Sequence, residues 1–507
     1  MRRFGSIGLG LALVASPVMA QDKKPAAPAA AAKEKPAEPV EKIIPQKHST
    51  KLSGTFGGQR VNYTATIGET IISGEDGTQK AAIVTTAYVK DGRDPNRPVT
   101  FLFNGGPGSG SVWLQMGAFG PKRVAIPSDA KDDGAPPYPI VDNPGSLLDV
   151  TDLVFIDPPG TGFSHLIGKT EGKEFYGVTA DAKAVAEVIR RWLSDNNRWN
   201  SPHYLGGESY GTSRSAAVVN QLANATYNDV GLNGIILIST ILDFGAGADT
   251  PGNELSVITN LPSMAATALY HGKASAPSVE AFVDEARAWA IGPYATALLK
   301  GQKLQGEERA AIRRQLARFT GLSEAYLDQA ELRVSPDRFY KELLRDRGQT
   351  IGRLDTRYTG KDYDNAGEGP DNDPSFYGID AGFTAAINTW ARGTLGFVTD
   401  REYQSIGNLG RDWDWKIEGG RDSNAYLNLT PYLGTALREN KDLRIFVGQG
   451  YYDFATPFFA AEYALSRTGI PQDRVEFHYY PSGHMMYVHD QDRAKLAADI
   501  RAFIKRR

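Results

Sequence analysis

The stretch Gly207-Glu208-Ser209-Tyr210-Gly211 follows an apolar run, Pro202 to Leu205, and precedes a helix-like run, Thr212 to Leu222. A strand, a sharp turn and a helix form the context in which G-x-S-x-G presents a nucleophilic serine. A serine hydroxyl is a weak nucleophile at neutral pH and needs exposure and a neighbouring base. Flanking glycines let the backbone double back without a Cβ clash. The helix that follows directs its free N–H groups at the turn. The bland reading is a glycine-rich turn with an incidental serine, and the pentapeptide alone does not decide between the two.

Outward from this stretch, the chain has 507 residues, of which 41% are hydrophobic, ample for a large core. That length suits about two to three domains, or one large α/β domain with an insert. A net charge of −3 leaves no basic footprint for nucleic acid. The chain has no cysteine, which excludes disulfides, thiolate metal sites, a Cys nucleophile and acylation at an N-terminal Cys. Met1-Arg2-Arg3, the apolar run Ile7 to Val18 and the small-residue site Val18-Met19-Ala20 read as a secretory signal peptide over residues 1–20. The run is short for a bilayer span. The expectation is therefore a periplasmic or secreted protein with no stable membrane association after cleavage. Residues 21–47, rich in Ala, Pro, Lys and Glu, read as a disordered linker.

Folded structure is expected from His48. Val61 to Ile67 and Ala81 to Val89 have strand patterns and read as antiparallel strands at a sheet edge. Val99 to Phe103 runs into Asn104-Gly105-Gly106-Pro107-Gly108, and Asp152 to Ile156 runs into Asp157-Pro158-Pro159-Gly160-Thr161-Gly162. A helix pattern over Asp181 to Leu193 carries Val185, Ile189 and Trp192 on one face. The elbow strand and Gly234 to Ser239 follow. Strands alternating with helices predict a mostly parallel sheet covered on both faces, with sites at the C-terminal strand ends. The alternation stops after Phe244. Residues 245–425 are dominated by helix-like segments, including Val279 to Leu299, Gly306 to Phe319 and Pro336 to Leu344, and read as an inserted cap. It resumes over 426–507 with Leu443 to Val447, Val475 to Tyr480 and a helix from Asp492 to Ile504 whose buried stripe is Leu496, Ile500 and Phe503.

A serine nucleophile needs a histidine base and an acid that orients it. His478 lies inside the last strand pattern and His489 near the final helix, where packing or solvation is their expected role. His484 follows Pro481-Ser482-Gly483 in the loop after the strand, where it can lean over the sheet edge. Asp453 is the first carboxylate after Leu443 to Val447. The order Ser209, Asp453, His484 is that of the α/β hydrolases. Three roles at three strand ends in one order are far more specific than the pentapeptide. The reaction also needs two N–H donors for the developing oxyanion. One is expected from Tyr210 and the other from the Gly105-Gly106 loop. A phosphate cradle is the competing reading of that loop, but neither GK[ST] nor G-x-G-x-x-G follows the strand.

Asn104-Gly105-Gly106-Pro107-Gly108-Ser109, Gly120-Pro121, Gly207-Glu208-Ser209-Tyr210-Gly211, Asp453 and Gly483-His484-Met485 together resemble the serine carboxypeptidases. Asp157 to Ser164 resembles a further loop of that family. The resemblance covers roughly His48 to Ile241 and Asn440 to the C-terminus. It implies an α/β-hydrolase fold with an inserted, mainly helical cap, no cofactor, and the release of C-terminal residues from peptide substrates, often best at acidic pH. It implies Ser209 as nucleophile, His484 as base, Asp453 as orienting acid, and Gly106 and Tyr210 as oxyanion donors. Asn104, Gly105 and Glu208 would bind the substrate carboxylate. A carboxyl donates to a carboxylate only when protonated, so Glu208 is expected to have a raised pKa.

The chain departs from the family pattern where a second carboxylate-binding Glu usually precedes Gly-Pro. Ala118-Phe119-Gly120-Pro121 stands there, and Ala118 has nothing to donate. Ser109 stands where the family carries a cysteine. An esterase or acyltransferase using the same triad is therefore an alternative reading, and a binding protein on a hydrolase fold is another. Asp362-Tyr363-Asp364-Asn365-Ala366-Gly367 partly matches a calcium loop, but Ala stands at its fifth position and Asp373 at its twelfth. A solvated acidic loop is expected there, and no metal. Trp413-Asp414-Trp415 is expected to pack within the cap rather than to wall a substrate pocket.

Overall fold

The computed structural model describes residues 42–506, apart from 93, 224–227, 248, 410–411, 418–425 and 468. The expected signal peptide, residues 21–41 of the expected linker and the expected boundary at 425 lie outside the described residues. Regular structure begins with the strand Lys47–Phe56, and Ile44–Arg507 forms one compact unit.

The central sheet takes its shape from two kinds of chain connection. Lys47–Phe56, Gln59–Ser73 and Gln79–Lys90 follow one another through short turns and pair antiparallel at one edge. Beyond them the spatial order is Asp152–Ile156, Val99–Phe103, His203–Ser209, Gly234–Thr240, Arg444–Gly450 and Val475–Tyr480. These six strands are mutually parallel, because long crossovers carry the chain back over a face of the sheet between them. Alternate side chains go to opposite layers. Leu102, Tyr204, Ile236 and Phe446 pack on one face with Leu496, Ile500 and Phe503 of the C-terminal helix Asp490–Lys505. Phe101, Leu205, Leu237 and Val447 pack on the other with Val185, Ile189 and Trp192 of Val178–Asp195, and with Val218 and Leu222 of Tyr210–Ala223. The stripes expected from both helix patterns are the buried ones.

Residues after Gly234–Thr240 form the insert. Its helices Glu254–Tyr270, Val279–Trp289, Gly306–Thr320 and Pro336–Glu342 build a core of their own around Leu261, Phe282, Phe319 and Phe339, which Phe454 joins from the hydrolase side. The single helix expected from Val279 to Leu299 is three pieces. A wide turn over Ala290–Tyr294 separates Val279–Trp289 from Ala295–Lys300. Pro293 sits in that turn, where a ring without an N–H is tolerated at the cost of regular α-helical bonding. Residues 398–409 of the insert contain no helix. Among the described residues no helix is long and apolar enough to cross a membrane.

At the opposite end of the sheet from the site, Asp152 is buried between two arginines. Its Oδ1 accepts from Arg97 Nε at 2.7 Å and its Oδ2 from Arg198 Nη1 at 2.6 Å. Removing one partner of a buried charge network leaves the others without compensation. Asp152→Ala is expected to destabilise the fold by about 3–5 kcal/mol, seen as a lower urea midpoint. An unchanged midpoint would mean that the two arginines find water instead.

Candidate active site

The strand His203–Ser209 ends at the serine and the helix Tyr210–Ala223 starts at the next residue. This reversal holds Ser209 at φ +60°, a left-handed conformation that costs a non-glycine residue about 1–3 kcal/mol. The neighbouring glycines are required by close approach. A Cβ on Gly207 would lie 2.1 Å from the Gly211 carbonyl oxygen, and one on Gly211 would lie 2.8 Å from the Phe103 carbonyl oxygen. The glycine-rich loop after Val99–Phe103 lies against the same turn. A Cβ on Gly105 would be 2.5 Å from the Tyr210 nitrogen and 2.7 Å from the Glu208 oxygen.

A cavity of about 350 Å³ opens over this turn, lined by Asn104, Gly105, Gly106, Glu208, Ser209 and His484 together with Trp113, Phe376, Ile406 and Met485. Tyr210 is buried and does not line it. A larger cavity of about 570 Å³, beside Tyr176, Lys183 and Asp414, contains none of these residues. Of the residues expected at the site, Asn104, Gly105, Gly106, Glu208, Ser209 and His484 line this cavity, whereas Tyr210 and Asp453 do not, and Asp453 is joined to it through His484.

Asp453 is fully buried and holds four hydrogen bonds. Its Oδ1 accepts from the N–H groups of Ala455 and Thr456, at 2.8 and 3.0 Å. Its Oδ2 accepts from Thr456 Oγ1 at 2.7 Å and from His484 Nδ1 at 2.8 Å. A carboxylate held this way fixes the proton on Nδ1 and leaves Nε2 as the base. The His484 backbone is fixed on both sides. Its N–H donates to the Leu354 carbonyl at 2.6 Å, and its carbonyl accepts from Ser239 Oγ at 2.6 Å. Burial alone would lower the His484 pKa. The charge and hydrogen bond of Asp453, with Glu208 further away, outweigh it and leave the imidazole above its ordinary value.

Glu208 is 3% exposed. Burial pushes its carboxyl up to about 7. The neighbouring His484 and the Tyr487 hydroxyl act against that rise, and the Asp453 charge adds to it. Asn104 Nδ2 donates to Glu208 Oε1 at 3.2 Å, while Asn104 Oδ1 accepts from the Leu114 N–H at 3.0 Å, which fixes the orientation of the amide. Glu208 Oε2 and the Tyr487 hydroxyl are both buried without a well-formed hydrogen bond among the described residues. Ala118 is buried in the turn Leu114–Phe119 and does not line the cavity.

Several residues that position the site carry no local sequence signal. Arg214 is fully buried one turn along the helix from the serine. Its Nη1 donates to the Asn104 carbonyl at 2.5 Å and its Nε to Asp181 Oδ2 at 2.6 Å, and its guanidinium lies 5.3 Å from the centre of the Tyr210 ring. One side chain therefore ties the glycine-rich loop to the elbow. Ser239, on His484, and Tyr487, beside Glu208, likewise act across long sequence separations, whereas Thr456 acts on Asp453 three residues away.

The residues expected to play no part lie elsewhere. His478 stacks on Phe446 at 4.5 Å, and His489 pairs with Asp492 at 2.8 Å. Trp413 and Trp415 do not line the cavity, but instead of packing within the insert as expected they pack against the Tyr210 ring at the elbow, at 5.4 and 5.9 Å. In the acidic loop, Asp362 pairs with the buried Lys341, Asp364 Oδ1 accepts from the Ala366 and Gly367 N–H groups, and Asp373 caps a short helix. Its carboxylates are engaged with protein donors. In the loop resembling the family's, Asp157 Oδ1 accepts from the Ser111 N–H at 2.8 Å and from the Tyr403 hydroxyl at 3.1 Å, so that loop supports the floor beneath Ser109.

A family model described as serine carboxypeptidase matches residues 87–256. Serine carboxypeptidase-like 7 of Arabidopsis thaliana is 28% identical over 182 residues, which are 34% of this chain and 38% of that one. Serine carboxypeptidase-like 3 of the same plant is 27% identical over 164 residues, 31% of this chain and 36% of that one. The matched region thus spans well under half the length of these relatives. Among solved structures, Kex1Δp, a prohormone-processing carboxypeptidase from Saccharomyces cerevisiae, superposes with a TM-score of 0.51 at 15% identity, covering 91% of this chain and 90% of that one. This likeness supports an α/β-hydrolase fold.

The contact between Gly105 and the elbow yields a direct test. Gly105→Ala pushes the loop away from Tyr210, and a displacement near 1 Å at a reacting centre costs about 100-fold in rate. Labelling of Ser209 by a fluorophosphonate is expected to slow by about that factor, with the melting temperature little changed. Labelling at the parent rate would separate the loop from the chemistry.

Proposed function

We propose that the chain is a member of the serine carboxypeptidase family, whose model matches residues 87–256, and that it is a serine hydrolase releasing C-terminal residues from peptides. The observation that carries the reading is Ser209, at φ +60° on the floor of a cavity that His484 also lines, with the His484 ring paired to a buried Asp453.

In this reading Ser209 Oγ attacks the scissile carbonyl while His484 Nε2 takes its proton. The oxyanion forms against the N–H groups of Gly106 and Tyr210. His484 then gives the proton to the leaving amine, and an acyl-enzyme remains on Ser209. Water, deprotonated by His484, releases the acyl group. Asp453 keeps the imidazole in the useful tautomer and stabilises its positive charge in the transition state. Asn104, the Gly105 backbone and protonated Glu208 hold the carboxylate of the leaving residue. Ala118, which offers no second carboxyl, favours a secondary reading in which the same triad works on esters or transfers acyl groups.

Mass spectrometry of a peptide mixture exposed to the purified protein, with Ser209→Ala as control, separates these readings. Stepwise shortening from the C-terminus that the control lacks is the expected result. Ester turnover dependent on Ser209, with every peptide left intact, would replace the carboxypeptidase reading by the secondary one. Asp453→Asn is expected to lower kcat by about 10⁴-fold, since the wrong tautomer then faces the serine.

The Glu208 carboxyl, pushed up to about 7, sets the sign of a pH effect. Below that value it is protonated and donates to the substrate carboxylate, and above it the ionised group repels that carboxylate. KM for a peptide with a free C-terminus is therefore expected to rise by about tenfold per pH unit above 7 if this contact alone binds the carboxylate, and by less if another group shares it. Glu208→Gln, which cannot ionise, should flatten the profile. A parent KM that is level from pH 5 to 8 would remove Glu208 from carboxylate binding.

A further inference from the structure

The insert contributes the only Lys or Arg among the residues lining the catalytic cavity, Arg353. Its backbone is fixed. The Arg353 N–H donates to Asp373 Oδ1 at 3.0 Å, and its carbonyl accepts from the Phe454 N–H at 3.1 Å, one residue after Asp453. The next residue, Leu354, accepts from the His484 N–H at 2.6 Å. The segment is therefore built into the two loops that carry the acid and the base. The guanidinium itself makes no hydrogen bond or ion pair with any described residue, and it is close enough to act electrostatically on His484. Asp373, the carboxylate nearest along the wall, is already occupied. Its Oδ1 accepts from the Arg353 N–H and Ser375 N–H, and its Oδ2 from the Leu354 N–H at 3.3 Å.

An unpaired guanidinium on a fixed backbone, at the edge of a cavity walled by Trp113, Phe376, Ile406 and Met485, is a receptor for an anion attached to an apolar residue. Arginine matches a carboxylate through two parallel N–H···O bonds. The position that usually carries a second carboxyl donor in the resembled family holds Ala118, which is buried away from the cavity. We infer that Arg353 is a specificity-determining residue that binds the C-terminal carboxylate of the substrate, supplying from the insert the anion contact that Ala118 cannot. This rests on the peptide reading of the site for its substrate, but the contact can be measured without turnover.

The experiment is calorimetric titration of Ser209→Ala, and of Ser209→Ala combined with Arg353→Gln, at neutral pH. Three probes are used: a short apolar peptide with a free C-terminus, its amide, and an amidated peptide ending in Asp. Loss of a charge-assisted bidentate contact is expected to weaken the free-terminus peptide by about tenfold or more, leaving both amides unchanged. Arg353→Lys should recover only part of the loss, because an ammonium lacks the planar fork. Equal affinity of the two proteins for the free-terminus peptide, or an equal loss for all three probes, would overturn the assignment. A loss confined to the Asp-ended amide would also overturn it, by moving the contact to a side-chain carboxylate. The catalytic reading fails separately, if Ser209 in the parent protein resists fluorophosphonate labelling.

Discussion

A methyl group on Gly207 would stand 2.1 Å from the Gly211 carbonyl oxygen, and one on Gly105 would stand 2.5 Å from the Tyr210 nitrogen. Three backbone segments, the elbow strand, the helix after it and the glycine-rich loop, therefore meet with no room for a side chain between them. This contact lifts Ser209 into a left-handed conformation and at the same time brings two strand ends within reach of one carbonyl. The strain at Ser209 is tolerable because the elbow is tied down around it. Thr212 Oγ1 donates to the Ser209 carbonyl at 2.7 Å, and Arg214 holds the Asn104 carbonyl from below. A site whose donors are already aimed has little reorganisation left to do in the transition state, which is where such arrangements gain most of their effect.

The same close packing explains the electrostatics. Glu208, Asp453 and His484 are nearly buried, so the protein groups beside them weigh heavily on each charge. Asp453 has four donors, one of them the imidazole. Glu208 has one donor, Asn104, and one oxygen without a well-formed partner. The proton that one carboxyl does not need is the proton the other requires. Burial, with few donors to offset it, is what raises the Glu208 carboxyl. Protonating Glu208 also withdraws one of the charges that hold the His484 pKa up, so the two groups respond together to pH.

Reading by strand ends singled out Ser209, Asp453 and His484 because each follows a short apolar run visible in sequence, and the structure puts Ser209 and His484 on one cavity with His484 bonded to Asp453. The helical period of about 3.6 residues likewise predicted which helical stripes would be buried, as Leu496, Ile500 and Phe503 illustrate. The helix expected from Val279 to Leu299 failed as one piece because an apolar pattern does not register the missing N–H of Pro293. The supporting residues were out of reach for a different reason. Arg214, Ser239 and Tyr487 have ordinary neighbours in sequence, and they matter only because the sheet order brings distant loops to one edge. Arg353 was harder still, since it lies in an insert whose sequence pattern gives helices and no path back to the triad.

That path has a structural purpose in a chain without cysteine. Ser109 occupies the place of a cysteine in the resembled family, so the glycine-rich loop cannot be clamped by a disulfide. The non-helical part of the insert clamps it with backbone bonds instead. Gly407 N–H donates to the Gly108 carbonyl at 2.7 Å, and Gly110 N–H donates to the Ser405 carbonyl at 3.0 Å. Gln404 and Gly162 exchange a pair at 2.8 and 2.9 Å. A Cβ on Gly108 would meet the Gly407 oxygen at 2.8 Å, so this contact is as close as those at the elbow. Buried backbone bonds of this kind are individually modest, but several in one short span hold a loop against displacement as a cross-link would. The insert thus acts on both halves of the site. Residues 404–407 fix the loop expected to bind the oxyanion, and residues 353–355 brace the acid and the base. A segment that must keep both contacts is constrained along its length, which makes it a reasonable place for a charge that also has to sit at a fixed point in the cavity.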